Sequence, residues 1–201
     1  MKKIVSLIIA GCLLCSPVYA KSKKKENIAQ TEIKFMDIPW NSTSEEVNEK
    51  MIGASFVQTR KNTIDGFDLF MYEGRVSGGK IGVMCMYGDN KLAKIVVDTE
   101  PQDDPAAEFI DKEAVLKAKY GEPKKEIRKY DSPYDNGKND DSDFKTGLKV
   151  KRIFIADTFE DKNGVYLILQ ITDRLALEYI YETDYFRFLI DERDKKENKI
   201  F

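Results

Sequence analysis

Ile81-Gly82-Val83-Met84-Cys85-Met86-Tyr87 and Val165-Tyr166-Leu167-Ile168-Leu169-Gln170-Ile171 are the two stretches that decide the fold. Successive side chains of a strand point to opposite faces, so Ile81, Val83, Cys85 and Tyr87 share one side of a strand, as do Val165, Leu167, Leu169 and Ile171. The stretches lie 84 residues apart and superpose without a gap. At the same spacing the turn residue Asp89 falls on Asp173, and Ala93, Ile95 and Val97 fall on Leu177, Tyr179 and Tyr181. All seven paired inward positions are apolar or aromatic. A slip of one residue would turn every inward side chain outward, yet a spacing of 83 pairs Leu92-Ala93 with Leu175-Ala176 as identities, so the two criteria differ by one position.

The same plan extends outward from both hairpins. Ahead of the first, Ser42 with Glu45, or Thr43 with Glu46, has capping-box spacing, and Val47 with Met51 gives an i, i+4 apolar pair; a short helix to about Ile52 stops at Gly53. Alternation then predicts strands over Ser55–Arg60, Phe67–Tyr72, Lys80–Tyr87 and Leu92–Asp98, with Asp65-Gly66, Gly78-Gly79 and Gly88-Asp89-Asn90 as turns. The second round starts with Asp104 as N-cap and Pro105 at the first helical position; the helix Ala106–Tyr120 ends at Gly121 and Pro123. Strands follow over Lys125–Tyr130, Leu148–Phe159, Val165–Thr172 and Leu175–Tyr181. The helix ends lie 68 residues apart against 84 for the hairpins, so the second copy carries about 16 extra residues, which the loop from Tyr130 to Phe144 absorbs.

The expected fold is α+β: one antiparallel sheet from two tandem helix-plus-meander repeats, residues 34–100 and 101–182, with the helices on one face. Residues 183–201 form a helical tail with Asp184 as cap, in which Phe186, Leu189 and Ile190 dock on the sheet and the charged end after Asp191 frays. Residues 21–33, polar and lysine-rich, read as a flexible leader. Trp40 is expected to staple the first helix onto the sheet.

The first twenty residues read as an address. Lys2 and Lys3 precede an apolar run from Ile4 to Leu14, and Val18 and Ala20 supply the small residues of a signal-peptidase site, so cleavage after Ala20 is expected. Ile9-Ala10-Gly11-Cys12 offers a competing lipoprotein signal in which Cys12 is acylated. A retained anchor fits less well, since Ile4 to Ala20 spans 17 residues and includes Pro17, against the roughly 20 apolar residues of a spanning helix. The destination is thus the periplasm or the exterior, with membrane association only through a lipid on Cys12.

Removing residues 1–20 leaves 31 basic and 35 acidic side chains, interspersed, with no basic stripe of the kind that binds nucleic acid. It also leaves Cys85 as the one cysteine, expected to be a buried, inert thiol. The chain contains no histidine, which removes Ser-His and Cys-His nucleophile pairs and the common His-containing metal sites.

Phe35 to Val47 (FMDIPWNSTSEEV), the helix ending Lys119-Tyr120-Gly121-Glu122-Pro123 and the strand with Leu177-Glu178-Tyr179 resemble small exported bacterial proteins with tandem helix-plus-meander repeats. That group includes the β-lactamase inhibitor proteins and the small lipoproteins of outer-membrane assembly. The resemblance covers residues 35–182 as a pattern and implies a helix packed on an antiparallel sheet and binding of other proteins rather than catalysis. The chain departs from the inhibitor proteins in having no paired cysteines, so nothing about their target carries over.

Tyr130 to Phe144 is the most informative polar stretch, with five aspartates in fifteen residues. An EF-hand needs oxygen ligands at loop positions one, three and five, and placing Gly137 at six puts Tyr134 at three, so that pattern fails. Mixed tyrosine, asparagine and aspartate instead suggest a recognition loop, with Tyr130, Tyr134, Asp135, Asn136, Asp140 and Asp141 as candidate partner contacts, against an exposed solvated insertion. Asp103-Asp104, Glu45-Glu46 and Asp191-Glu192 sit at helix starts or in the charged tail, where they complement helix dipoles. Gly78-Gly79-Lys80 lacks the rest of a phosphate loop and reads as a turn. The sequence therefore predicts no catalytic residue, cofactor or metal ligand. It predicts an exported binding, inhibitory or envelope-accessory module meeting another protein through the open sheet face or the loops near 61–66 and 131–143. The alternative is a hydrolase relying on Asp and Glu carboxylates, which would need two carboxyls across a cleft.

Overall fold

Thr43 closes the capping box: its hydroxyl accepts the Glu46 N–H, and the Glu46 carboxylate accepts the Thr43 N–H at 2.8 Å. The helix it starts, α1 (Ser44–Gly53), leads into β1 (Val57–Ile64), β2 (Phe67–Val76), β3 (Gly79–Gly88) and β4 (Lys91–Pro101). Asp104 then caps α2 (Pro105–Tyr120) by accepting the Ala107 N–H, and Pro105 takes the helix start, where no intrahelical donor is lost. After it come β5 (Lys125–Tyr130), α3 (Ser142–Lys149), β6 (Ile153–Glu160), β7 (Tyr166–Ile171), β8 (Ala176–Glu182) and α4 (Asp184–Glu197). The structure is a computed structural model describing residues 31–137 and 142–197.

The strands form a single eight-stranded sheet in the order β1-β2-β3-β4-β8-β7-β6-β5, every neighbouring pair antiparallel. The protein is thus α+β, with four helices among the described residues. Cys85 pairs with Ile95 and Val83 with Val97; Leu169 pairs with Tyr179 and Leu167 with Tyr181. These pairs follow the spacing of 84, but the register shifts between Met86 and Tyr87, so Leu92 turns into the first core and Ala93 to the opposite face beside Phe186; the expected match of Ala93 with the inward Leu177 is not kept. β1 and β5 are the edges of the sheet, and the two meanders join in its middle, where β4 pairs with β8 around Val96 and Ile180.

One face of the sheet carries two adjoining cores. Val47 and Met51 of α1 pack with Phe70, Tyr72, Val83, Cys85 and Tyr87. Phe109 and Leu116 of α2 and Phe144 and Leu148 of α3 pack with Ile155, Phe159, Leu167 and Leu169. Trp40 touches both, and its indole N–H donates to the Ile33 carbonyl at 2.9 Å, so it ties the approach of α1 to the sheet.

Several expectations are corrected. The helices do not all lie on one face: Phe186, Tyr185, Leu189 and Ile190 of α4 cover Phe67, Leu69 and Met86, which alternate with the first core's residues and so point the other way. Gly88 permits this docking, because a Cβ there would collide with the Leu189 side chain, and its carbonyl accepts the Tyr185 hydroxyl. The cap of α4 is Thr183, whose hydroxyl accepts the Phe186 N–H, rather than Asp184; the helix continues past Asp191 to Glu197. The expected strand from Leu148 is replaced at its start by α3, with Phe144 and Leu148 on one side one turn apart, and β6 begins only at Ile153. The leader ends before 33: Ile33 is buried in the second core and its N–H donates to Asp161 at 2.8 Å. β1 and β2 run longer than expected, since pairing carries both beyond the alternating segments.

Candidate functional site

The sheet face opposite α1, α2 and α3 is only partly covered. Across it runs a cross-strand row of register partners: Met71 opposite Met84, Met84 opposite Val96, Val96 opposite Ile180, and Ile180 opposite Ile168. Each of these five side chains is partly exposed. They exist because β2, β3, β4, β8 and β7 keep apolar residues at outward as well as inward positions, a pattern expected of strands that bury both faces. Two of the five are methionines, whose unbranched thioethers adapt to differently shaped surfaces.

The row has unlike flanks. On one side α4 presses down, and the rim is ionic: Lys94 Nζ lies 2.7 Å from Glu182 and 4.8 Å from the centre of the Phe186 ring, while the Arg187 guanidinium stacks 3.4 Å over Tyr166. On the other side lie Gly82, Asp98, Glu178 and Gln170, again register partners. Arg174 Nη2 donates to Asp98 at 2.8 Å, and the Gln170 amide donates to Glu178. Burial, and then the Asp98 charge beside it, raise the Glu178 carboxyl above its ordinary value.

A second pair of carboxyls sits on the helix side. Asp157 is fully buried and receives both arms of Arg128, at 2.6 and 3.1 Å. Arg128 also reaches Glu113 of α2 at 3.4 Å, and Glu113 lies 2.9 Å from Lys117. Burial, only partly offset by Arg128, raises Asp157. Burial opposes ionisation of Glu113 too, but Lys117, Asp157 and Arg128 together outweigh it and lower that carboxyl. A small hollow of about 170 Å³ beside the pair is walled by Phe109, Ile110, Ile155 and Ile171. Both carboxyls are thus engaged by cations that fasten α2 to β5 and β6.

The residues singled out in the sequence are not gathered at one surface. Tyr130 ends β5 and, with Tyr134, packs against the second core, so the loop's aromatic groups face inward. Asp135 and Asn136 are exposed, whereas Asp140 and Asp141 lie outside the described residues, as does Cys12. Cys85 is buried, and burial pushes its thiol up to about 12, which keeps it protonated and inert. Among the described residues no three His, Cys, Asp or Glu side chains are placed to hold a metal, and no helix is long and apolar enough to cross a membrane. Comparison with known protein families, characterised proteins and solved structures finds no match.

Proposed function

We propose that the chain is an exported, non-enzymatic protein-binding or envelope-accessory module, built as two tandem helix-plus-meander repeats, that docks a partner protein on the open sheet face. The observation that carries this reading is the row from Met71 through Met84, Val96 and Ile180 to Ile168, apolar and partly exposed over five strands. A contiguous apolar patch with a polar rim is the surface signature of a protein contact. The repeat reading is supported by hairpin partners that recur at one spacing and by a helix that precedes four strands in each half of the chain. The engagement of Glu113 and Asp157 by Arg128 and Lys117 speaks against their use as the acid and base of a hydrolase.

Capture from the protein's own envelope extract with the tagged mature chain tests the proposal. Ile180→Glu and Val96→Glu place a charge in the middle of the row and should abolish capture of a partner that the parent chain retains. Tyr134→Ala, in the loop, should leave it intact. Equal capture by parent and Ile180→Glu would sink the sheet-face reading. Mass spectrometry of the mature N-terminus decides between a free Lys21 and an acylated Cys12.

A further inference from the structure

On the helix side, where β4 pairs with β8, a cleft of about 390 Å³ opens between α2 and the β2–β3 turn. Its floor is Phe35, Ile81, Val97, Tyr179 and Tyr181, and the Phe35 and Tyr181 rings meet at 5.9 Å and 58°. Volume and lining match those of small-molecule sites, which are concave, mostly apolar and carry a few fixed polar groups.

Those polar groups narrow the occupant. Neither the Tyr179 nor the Tyr181 hydroxyl makes a hydrogen bond among the described residues, although both rings line the cleft. Burial and then Glu108 push Tyr179 up to about 12, and burial raises Tyr181 as well, so both phenols keep their protons and can donate. The rim is balanced in charge, with Lys80 and Lys112 against Glu100 and Glu108. Its cations are already paired, Lys112 with Glu108 at 2.9 Å and Lys80 with Glu73 at 3.0 Å. The Glu100 carboxylate accepts the Lys80 backbone N–H while its carbonyl takes the Thr99 hydroxyl and the Gln102 amide, and the carboxylate disfavours an acid in the cleft. We infer that this cleft binds an uncharged apolar molecule carrying a hydrogen-bond-accepting oxygen, such as an aryl ketone, quinone or ester, with the ring on Phe35 and Val97 and the oxygen on the tyrosine hydroxyls. The site lies on the opposite face from the proposed docking row, and the two proposals stand or fall separately.

The probe is prodan, an uncharged naphthyl ketone whose emission shifts to the blue in apolar surroundings, titrated into the mature chain. Saturable binding at one equivalent is expected. Lys112→Trp, on an exposed helix face at the mouth, and Val97→Trp, on the floor, should each weaken it at least tenfold, and thermal unfolding shows which variants keep the fold. Tyr179→Phe keeps the ring and removes a donor, so affinity should fall about three- to tenfold, the worth of one neutral hydrogen bond. Val115→Trp, on the exposed outer side of α2, should change nothing. Absence of saturable binding, or binding indifferent to Lys112→Trp, overturns the site. Loss in Lys112→Trp with full affinity in Tyr179→Phe overturns the assignment of an oxygen acceptor to Tyr179. Ile180→Glu should bind prodan normally, whatever it does to partner capture.

Discussion

The two halves of the sheet solve one packing problem with different chemistry. In the first, Phe70 pairs with Cys85; in the second, Asp157 pairs with Leu169, the residue 84 positions after Cys85. Under the proposed duplication, a fully buried aspartate thus stands where the other half has a phenylalanine. Phe70 packs edge-on to Tyr87 at 5.2 Å and 73° in the core that the 10-residue α1 covers, with Lys61 Nζ 4.6 Å from its ring and no ion pair required. Asp157 needs Arg128, which stacks 5.1 Å over Phe109 and reaches Glu113, both on the 16-residue α2. The longer helix is anchored by an ion pair as well as by burial, the shorter one by burial and by the Ser44 N–H and hydroxyl donating to Asn90 in the β3–β4 turn. What this teaches is that two four-strand meanders can fill equivalent inward positions with different chemistry.

Removing the anchor gives the largest expected effect. Asp157→Ala strands Arg128 in a half-buried site and should cost about 3 to 5 kcal/mol, read from urea unfolding at constant slope. Replacing both partners, Asp157→Leu with Arg128→Met, should recover most of that loss, since apolar groups of similar volume often equal or exceed a buried ion pair. A cost below about 1 kcal/mol for Asp157→Ala would break the contrast, because the second half would then be held like the first.

Next in size is a matched truncation at the counterpart positions. Leu169 and Cys85 are both wholly inaccessible. Leu169→Ala should cost about 3 kcal/mol and Cys85→Ala about 1, in proportion to the atoms deleted. Equal losses would mean that the first core collapses around its gap less readily than the second. A smaller change of opposite sign belongs to the first half: among the described residues the buried Tyr72 hydroxyl has no hydrogen-bond partner, so Tyr72→Phe should leave stability unchanged or raise it by up to about 1 kcal/mol.

How much of this was legible beforehand differs by level. The caps Thr43 and Asp104, the end of α2 at Gly121 and the inward faces of β3 and β7 follow from local chemistry, and the structure places them accordingly; the α4 cap and the face of Ala93, set by a register shift, do not. What escaped is whatever depends on a surface assembled from afar. α3 was masked by the aspartates before it, although Phe144 and Leu148 have helical spacing. The open row was present in the same windows that revealed the inward faces, as Met84, Val96, Ile168 and Ile180 at the alternate positions. Outward positions on an amphipathic strand carry no local sign of which of them another element covers. Asp157 sits in Ile153-Phe154-Ile155-Ala156-Asp157, where alternation marks it as inward, but its partner Arg128 is 29 residues away and nothing local pairs them.

The smallest effect tests the seam itself. At one end of the β4–β8 pairing Lys94 meets Glu182, opposite charges; at the other Asp98 meets Glu178, like charges. The second should make stability depend on pH. Glu178 is raised from the ordinary 4.5, by burial first and Asp98 second, so the folded chain holds this proton where the unfolded chain has released it. Its contribution is complete below the unfolded value and is lost as pH rises through the folded one. Glu178→Gln removes the titration while keeping an acceptor for the Gln170 amide and adding a donor toward Asp98. The melting temperature of Glu178→Gln should therefore match the parent near pH 4 and exceed it increasingly as pH rises from about 4.5 towards neutrality. A difference that stays flat across that range would show that Arg174, 2.8 Å from Asp98, already neutralises the pair and that the two ends of the seam are electrostatically alike.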